Sequence, residues 1–586
     1  AVGISALAAQ NNDDNNFNTA VGHQAGFSVT TGIFNTITGG QAGDALTTGT
    51  RNVAVGKDAL TSDTQGSRST ALGFATLFSQ NFTTATDVYN VAVGEQAGLN
   101  VTTGVQNTLL GSLAGDALTD GDFNVALGYL SLSADTLGSR STALGRGSLA
   151  NQNFTTATDT YNVAVGYSAG LSVTTGKQNT ILGGLAGDAI TTGTNNVAVG
   201  YLALSTETAA DNSVAIGRSA LGNQNVTTGG NVHSTAVGHF AGRTITTGIQ
   251  NTFVGALTGD SLTDADNNVA IGYAALTTDT LGSKSVAIGK SALESQNFTT
   301  ATDSFNVAVG PSAGLSVTTG QFNTLVGGIA GDALTTGTRN VVVGYNALTT
   351  DTLGSKSVAI GLGALQDQNF TTATDTHNTA VGHGAGSSVT TATNNTLIGA
   401  LAGDALTTGA SNVAVGYLAL STDDVGQHNV AIGRQALENQ NIATAANTYN
   451  VAVGSSAGQS LTTGTLNTFM GGLAADAITD GTRNVAVGYA ALTTDTRGQR
   501  STAIGYGALA DQNLTTASAS HNTAVGYNAG GAITTAIRTT ILGALASDAA
   551  TTGERNVALG YAALSADTKG NRSVSIGYEA LGTQNF

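Results

Sequence analysis

The side chains best suited to chemistry recur at one interval. Asp44, Asp116, Asp188, Asp260, Asp332, Asp404, Asp476 and Asp548 stand 72 residues apart, mostly within Gly-Asp-Ala-Leu. Carboxylates suit a hard cation such as Ca²⁺, which needs several oxygens at once. If each turn of chain rises about 4.8 Å, four turns put these carboxylates about 19 Å apart, too far to share an ion along one chain. Copies around a three-fold axis could share one; the alternative is that each Asp hydrogen-bonds its own turn. The Gly-Gly-x-Gly-x-Asp nonapeptide of Ca²⁺-binding rolls is absent.

A basic ladder has the same period: Arg68, Arg140, Lys284, Lys356, Arg500 and Arg572, with Asn212 and His428 at the remaining places. Asp63, Asp135, Asp279, Asp351, Asp495 and Asp567 lie five residues earlier. This predicts exposed ion pairs across a turn, each of little energetic weight. His233 with His239 and His377 with His383 form i, i+6 pairs, but no Cys or third His completes a zinc set. No nucleophile elbow or phosphate loop is present, and a lone Gly-x-Gly means nothing among 80 Gly. The expectation is a non-enzyme without a cofactor.

Two further patterns invite binding. Tyr129, Tyr201, Tyr273, Tyr345, Tyr417, Tyr489 and Tyr561 form another ladder. It suits glycan stacking or packing between chains with a satisfied hydroxyl. Thr pairs such as Thr30-Thr31 and Thr47-Thr48 raise ice binding. Neighbouring Thr point to opposite faces of a strand, however, and later turns interrupt the column.

The scaffold behind these ladders is a repeat. The motif is Asn/Ser, Val/Thr, Ala, Val/Ile/Leu, Gly, as in Asn52-Val53-Ala54-Val55-Gly56. Indexed by its Gly it starts at Gly3, Gly22, Gly39, Gly56 and Gly73 and ends at Gly560 and Gly577. There are 33 copies; after a first interval of 19 the spacing runs 17, 17, 17, 21 without exception. Seventeen residues suit one turn of a β-solenoid and are too few for helical-hairpin repeats or propeller blades. Val-Ala-Val favours a strand and the Gly/Asn/Asp clusters favour turns. The prediction is an all-β parallel β-roll or β-solenoid of about 17 residues per turn, with a 72-residue super-repeat, as an intertwined or side-by-side homotrimer. Residues 1–586 are expected to form one array without a separate globular domain. Its super-repeats are 18–89, 90–161, 162–233, 234–305, 306–377, 378–449, 450–521 and an incomplete 522–586. Thirty-three turns predict a rod on the order of 160 Å. The chain opens inside a motif and ends on Gln584-Asn585-Phe586 where other copies continue, so a longer array is expected.

Composition agrees. The 586 residues include 1 Pro and no Cys or Trp, which excludes disulfides and thiolate metal sites. With 20 Lys+Arg against 37 Asp+Glu and net charge −17, no surface for nucleic acid is expected. No apolar run approaches the length of a membrane span.

Alternation gives the strand two faces. Val197 and Val199 are expected to point into the roll and Ala198 outward. At that outward position the second turn of each set of four carries a large residue: Ile37, Leu109, Ile181, Phe253, Leu325, Leu397, Phe469 or Ile541. These are expected to pack between chains, with a loop-covered groove on the same chain as the alternative. The fourth turn carries four extra residues, around Asn81-Phe82, Asn153-Phe154, Asn297-Phe298 and Asn369-Phe370. These inserts read as loops projecting toward a ligand, or as places where the Phe tucks back as a plug.

Asn522-Thr523-Ala524-Val525-Gly526-Tyr527-Asn528-Ala529-Gly530 and its equivalents resemble the repeats of phage tail-fibre and bacterial surface-fibre proteins. They also resemble the heads of trimeric autotransporter (YadA-like) adhesins. The turn departs from the adhesin-head pattern in its 17 residues and its 72-residue super-period. The resemblance implies a homotrimer of parallel β-rolls and a role in attachment. The expected function is a fibre shaft of an extracellular, cell-surface or virion appendage, presenting a receptor-binding end outside this chain. A shaft that itself adheres and a self-assembling matrix or sheath filament are the alternatives.

Overall fold

The computed structural model describes residues 1–11 and 15–585; Phe586 lies outside the described residues. All regular structure among them is β, with no helix. The chain divides into two compact units. One comprises Ala1–Ser285 and Asn297–Asp303, the other Val286–Gln296 and the residues from Ser304 onward.

Each unit is a parallel β-solenoid with 17-residue turns, and a 21-residue turn at every insert. The first holds 15 three-residue strands, from Thr19–Val21 to Val269–Ile271. The second holds 17, from Val286–Ile288 to Val574–Ile576. Within each unit, a strand pairs in register with its equivalent one turn on: Thr36 with Val53, Ile37 with Ala54, Thr38 with Val55. Seven pairs of two-residue strands, such as Gly66–Ser67 with Thr86–Asp87, bracket the inserts.

The Gly that ends each strand is fixed by its neighbour. A Cβ on Gly56, at φ +136°, would lie 2.1 Å from the carbonyl oxygen of Gly73 in the next turn. No other residue fits that spacing. Bends elsewhere in the turn use left-handed non-Gly residues, for instance Asp58, Leu60 and Arg51 at φ 56–61°. Their strain, on the order of 1 kcal/mol each, is offset by burial and by hydrogen bonds from turn to turn.

The structure reverses the expected strand orientation. In every three-residue strand the middle residue is the buried one, and Val197 and Val199 face outward while Ala198 is buried. Ile37, Leu109, Ile181, Phe253, Leu325, Leu397, Phe469 and Ile541 are fully buried inside a single chain. They therefore do not lie between chains, and no loop-covered groove is needed. Room for them comes from glycine. Gly26 and Gly43 occupy the fourth position after their strand-ending Gly, where later turns carry Leu60 and Leu77. Cβ atoms there would lie 2.9 and 3.4 Å from Ile37 Cδ1.

A column of buried amides runs beside this core. Asn52 Nδ2 donates to the Gly66 carbonyl (2.9 Å), and Asn52 Oδ1 accepts the Ser69 N–H (2.8 Å). Asn35, Asn107, Asn124 and their equivalents repeat the scheme. Burying so many amides is tolerated because each amide nitrogen and each amide oxygen makes a hydrogen bond. In the fourth turn Ser69 stands in the column, and Gln80 of the insert takes over. Its Nε2 donates to Ser69 Oγ (2.9 Å) and Asp63 Oδ2 (2.6 Å), and its Oε1 accepts from Asn90 (2.9 Å).

Candidate functional site

With Ala inward, the residues three before and one before the strand-ending Gly face outward. The first of these columns is Val or Thr throughout the 32 strands. The second is apolar in all but one, Thr38. It is half-buried along most of its length and reaches 44–45% accessibility at Leu72, Leu127 and Met470. Two more columns border this face, five residues before the Gly and one after it. Between them they hold all 14 Tyr and all 7 His of the chain. Eleven cations before and five after account for sixteen of the 20 Lys+Arg, while Glu95 is the one acid in these columns. A chain of net charge −17 thus concentrates its cations and tyrosines along the edges of the apolar face of each unit.

The border columns are stacked. Arg140 lies over Phe123 and Tyr161, at 4.9 and 5.8 Å from the ring centroids. Arg146 lies over Tyr129 and Tyr167 at 5.8 and 5.5 Å. Tyr489, Tyr506 and Tyr527 stack at 5.5 and 5.4 Å. Each exposed contact of this kind is weak, but the ladder holds the rings at a fixed spacing. Tyr201, Tyr273 and Tyr345 of the predicted Tyr ladder are 51–60% exposed.

Four of the six predicted cations form ion pairs, each with another partner. Arg68 pairs with Asp87 (2.8 Å), Arg140 with Asp159 (3.0 Å), Lys284 with Asp303 (2.6 Å) and Lys356 with Asp375 (2.5 Å). The acid sits 19 residues later, in the insert, because that residue lies one turn above the cation. Asp63 and its equivalents are instead buried. Asp63 accepts the N–H groups of Gly66 (3.0 Å) and Phe82 (3.1 Å) besides Gln80. Burial pushes the Asp63, Asp135, Asp351, Asp423 and Asp495 carboxyls upward, and the donated hydrogen bonds only partly offset it. Gln80 and Asp63 were recognisable from their 72-residue recurrence alone.

The Asp44 ladder is half-buried and dispersed. Burial raises Asp44, Asp116, Asp188, Asp260, Asp404 and Asp548. Asp332 accepts from Thr349 and Asp476 from Thr493, while Asp260 lies 3.4 Å from Arg243. Among the described residues no three His, Cys, Asp or Glu gather as metal ligands. No helix there is long and apolar enough to cross a membrane.

In the inserts the Phe side chains turn in. Phe82, Phe154, Phe298 and Phe370 are 5–7% exposed, whereas Asn81, Asn153, Asn297 and Asn369 are exposed. No protein-family model matches the chain, and no curated protein matches it.

Proposed function

We propose that this chain is a non-enzymatic fibre shaft of an extracellular, cell-surface or virion appendage. It assembles as a parallel homotrimer through the Val/Thr and Val/Ile/Leu columns and holds a receptor-binding end outside this chain away from its base. The observation that supports this reading is the outward apolar column of each unit, interrupted only at Thr38 and half-exposed in an isolated chain. Contiguous apolar surface of this extent marks an interaction site. Its borders of Tyr and Arg, nearly free of acids, have the composition that protein interfaces favour. A self-similar column on identical chains suits a symmetric assembly. No nucleic acid is assigned as a partner, given the acidic balance.

Sedimentation of the purified chain tests the proposal. The expected mass is three chains. Replacing Leu110, Leu127 and Leu144 by Lys should lower it toward one chain while far-UV circular dichroism stays β. A wild-type chain that sediments as a monomer at micromolar concentration overturns the trimer. Compact globular particles under the electron microscope overturn the shaft.

A further inference from the structure

The inserts carry a pattern that the shaft does not require. Six of the seven read Asn-x-Thr at the same place: Asn81, Asn153, Asn225, Asn297, Asn369 and Asn513. The middle residue is Phe four times, Val once and Leu once, so it varies while its neighbours stay. Asn-x-Ser/Thr without Pro is the acceptor triplet for transfer of a sugar to an amide nitrogen.

The structure holds this triplet in an accessible form. The middle side chain is the anchor: Phe82, Phe154, Phe298, Phe370 and Leu514 are 5–7% exposed. The Asn before it is exposed or half-exposed, and the Thr after it is exposed in all six. A Thr one turn earlier fixes the Asn through its oxygen. Thr64 Oγ1 donates to Asn81 Oδ1 (3.1 Å), Thr136 to Asn153 (3.2 Å), Thr280 to Asn297 (3.2 Å) and Thr496 to Asn513 (3.1 Å). That bond leaves Nδ2 available, and Nδ2 donates to no group among the described residues. The hydroxyls of Thr83 and its equivalents likewise bond to nothing there. The fold therefore has a use for the Asn oxygen and the middle side chain, and none for the Thr hydroxyl. The seventh insert is an internal contrast. It reads Asn441-Ile442-Ala443, and Asp424 replaces the Thr that would hold its Asn.

We propose that the six inserts are N-glycosylation sites, placing a glycan on six of the seven inserts of each chain. In the transfer, Asn Nδ2 forms a bond to C1 of a sugar. The bond from C1 to phosphate in a glycosyl-phosphate donor breaks, the phosphate leaves with the electron pair, and Nδ2 releases a proton. The proposal goes beyond the shaft and needs neither the trimer nor the receptor-binding end.

Peptide mass spectrometry of the protein isolated from its own producer tests it. Peptides with Asn81, Asn153, Asn225, Asn297, Asn369 and Asn513 should gain whole sugar residues on Asn, and the Asn441 peptide should not. Thr83→Ala should abolish the modification at Asn81 alone, and Thr83→Ser should retain it. Circular dichroism should be identical for both. Unmodified Asn at all six places, or sugar on Thr83 and Thr84 instead, overturns the proposal. Sedimentation reads the trimer separately, so the two cannot fail for the same reason.

Discussion

The first two turns of each 72-residue unit and the last two solve the same packing problem in opposite ways. In the first two, Gly26 and Gly43 open space that Ile37 fills, and Val29 and Leu46 stack seven residues after the strand-ending Gly. In the last two, Leu60 and Leu77 fill that space against a small Ala, and the stacked pair is Asp63 and Gln80. One half of the unit is held by dispersion and exclusion of water. The other is held by a hydrogen-bonded cluster with nearly every buried group paired. The backbone turn is common to both, so the solenoid path does not dictate the chemistry of its core.

The two halves should fail differently. Phe253→Ala empties one of the two sites filled by a fully buried Phe, against Gly242 and Gly259, and should lower local stability by about 3–5 kcal/mol. Hydrogen exchange of the amides in that turn reads the loss. Phe253→Leu, which keeps most of the volume, should recover much of it.

Asp351→Asn keeps the shape of the polar half but turns an acceptor into a donor facing Gln368 Nε2, now 2.6 Å from Oδ2. The expected loss is about 1–3 kcal/mol, read by exchange at Gly354 and Phe370. Equal effects from Asp351→Asn and Asp351→Leu would erase the distinction between the halves.

A third difference is in pH. The buried carboxyls hold their protons more tightly in the fold than in the unfolded chain, where the ordinary value is 3.8. Their contribution is complete below that ordinary value and is lost as pH rises through the raised folded value. Melting temperature should therefore fall as pH rises above that ordinary value, and the drop should shrink when Asp351, Asp423 and Asp495 are replaced by Asn. A melting temperature that rises over this range contradicts the assignment. The smallest effect belongs to the rim: Arg140→Ala removes an exposed pair with Asp159 and should leave melting unchanged.

The period, the strand and the turn chemistry were legible in the sequence because each follows from spacing and local propensity. The recurrence of Phe82 left open whether it projects or tucks in, and its burial shows that it tucks in. Which strand face is interior did not follow, since alternation defines two faces without naming the inner one. The deciding signal was present: a large residue at Ile37 always accompanies Gly at the Gly26 position, and small Ala54 accompanies Leu60. Such complementary volumes belong to one shared interior. Partner assignment failed for a related reason. Asp63 is nearer to Arg68 in sequence, but closeness in a solenoid runs between turns, and Asp87 lies above the cation.

The pairing of Asp63 with Gln80, and of Ile37 with two glycines, has a genetic consequence. Insertion or loss of one 17-residue turn would set an apolar side chain against an amide, or a large one against Leu. Natural length variants of this gene should therefore differ by whole 72-residue steps, with the reading frame cut at any point provided the phase of the four turns is kept.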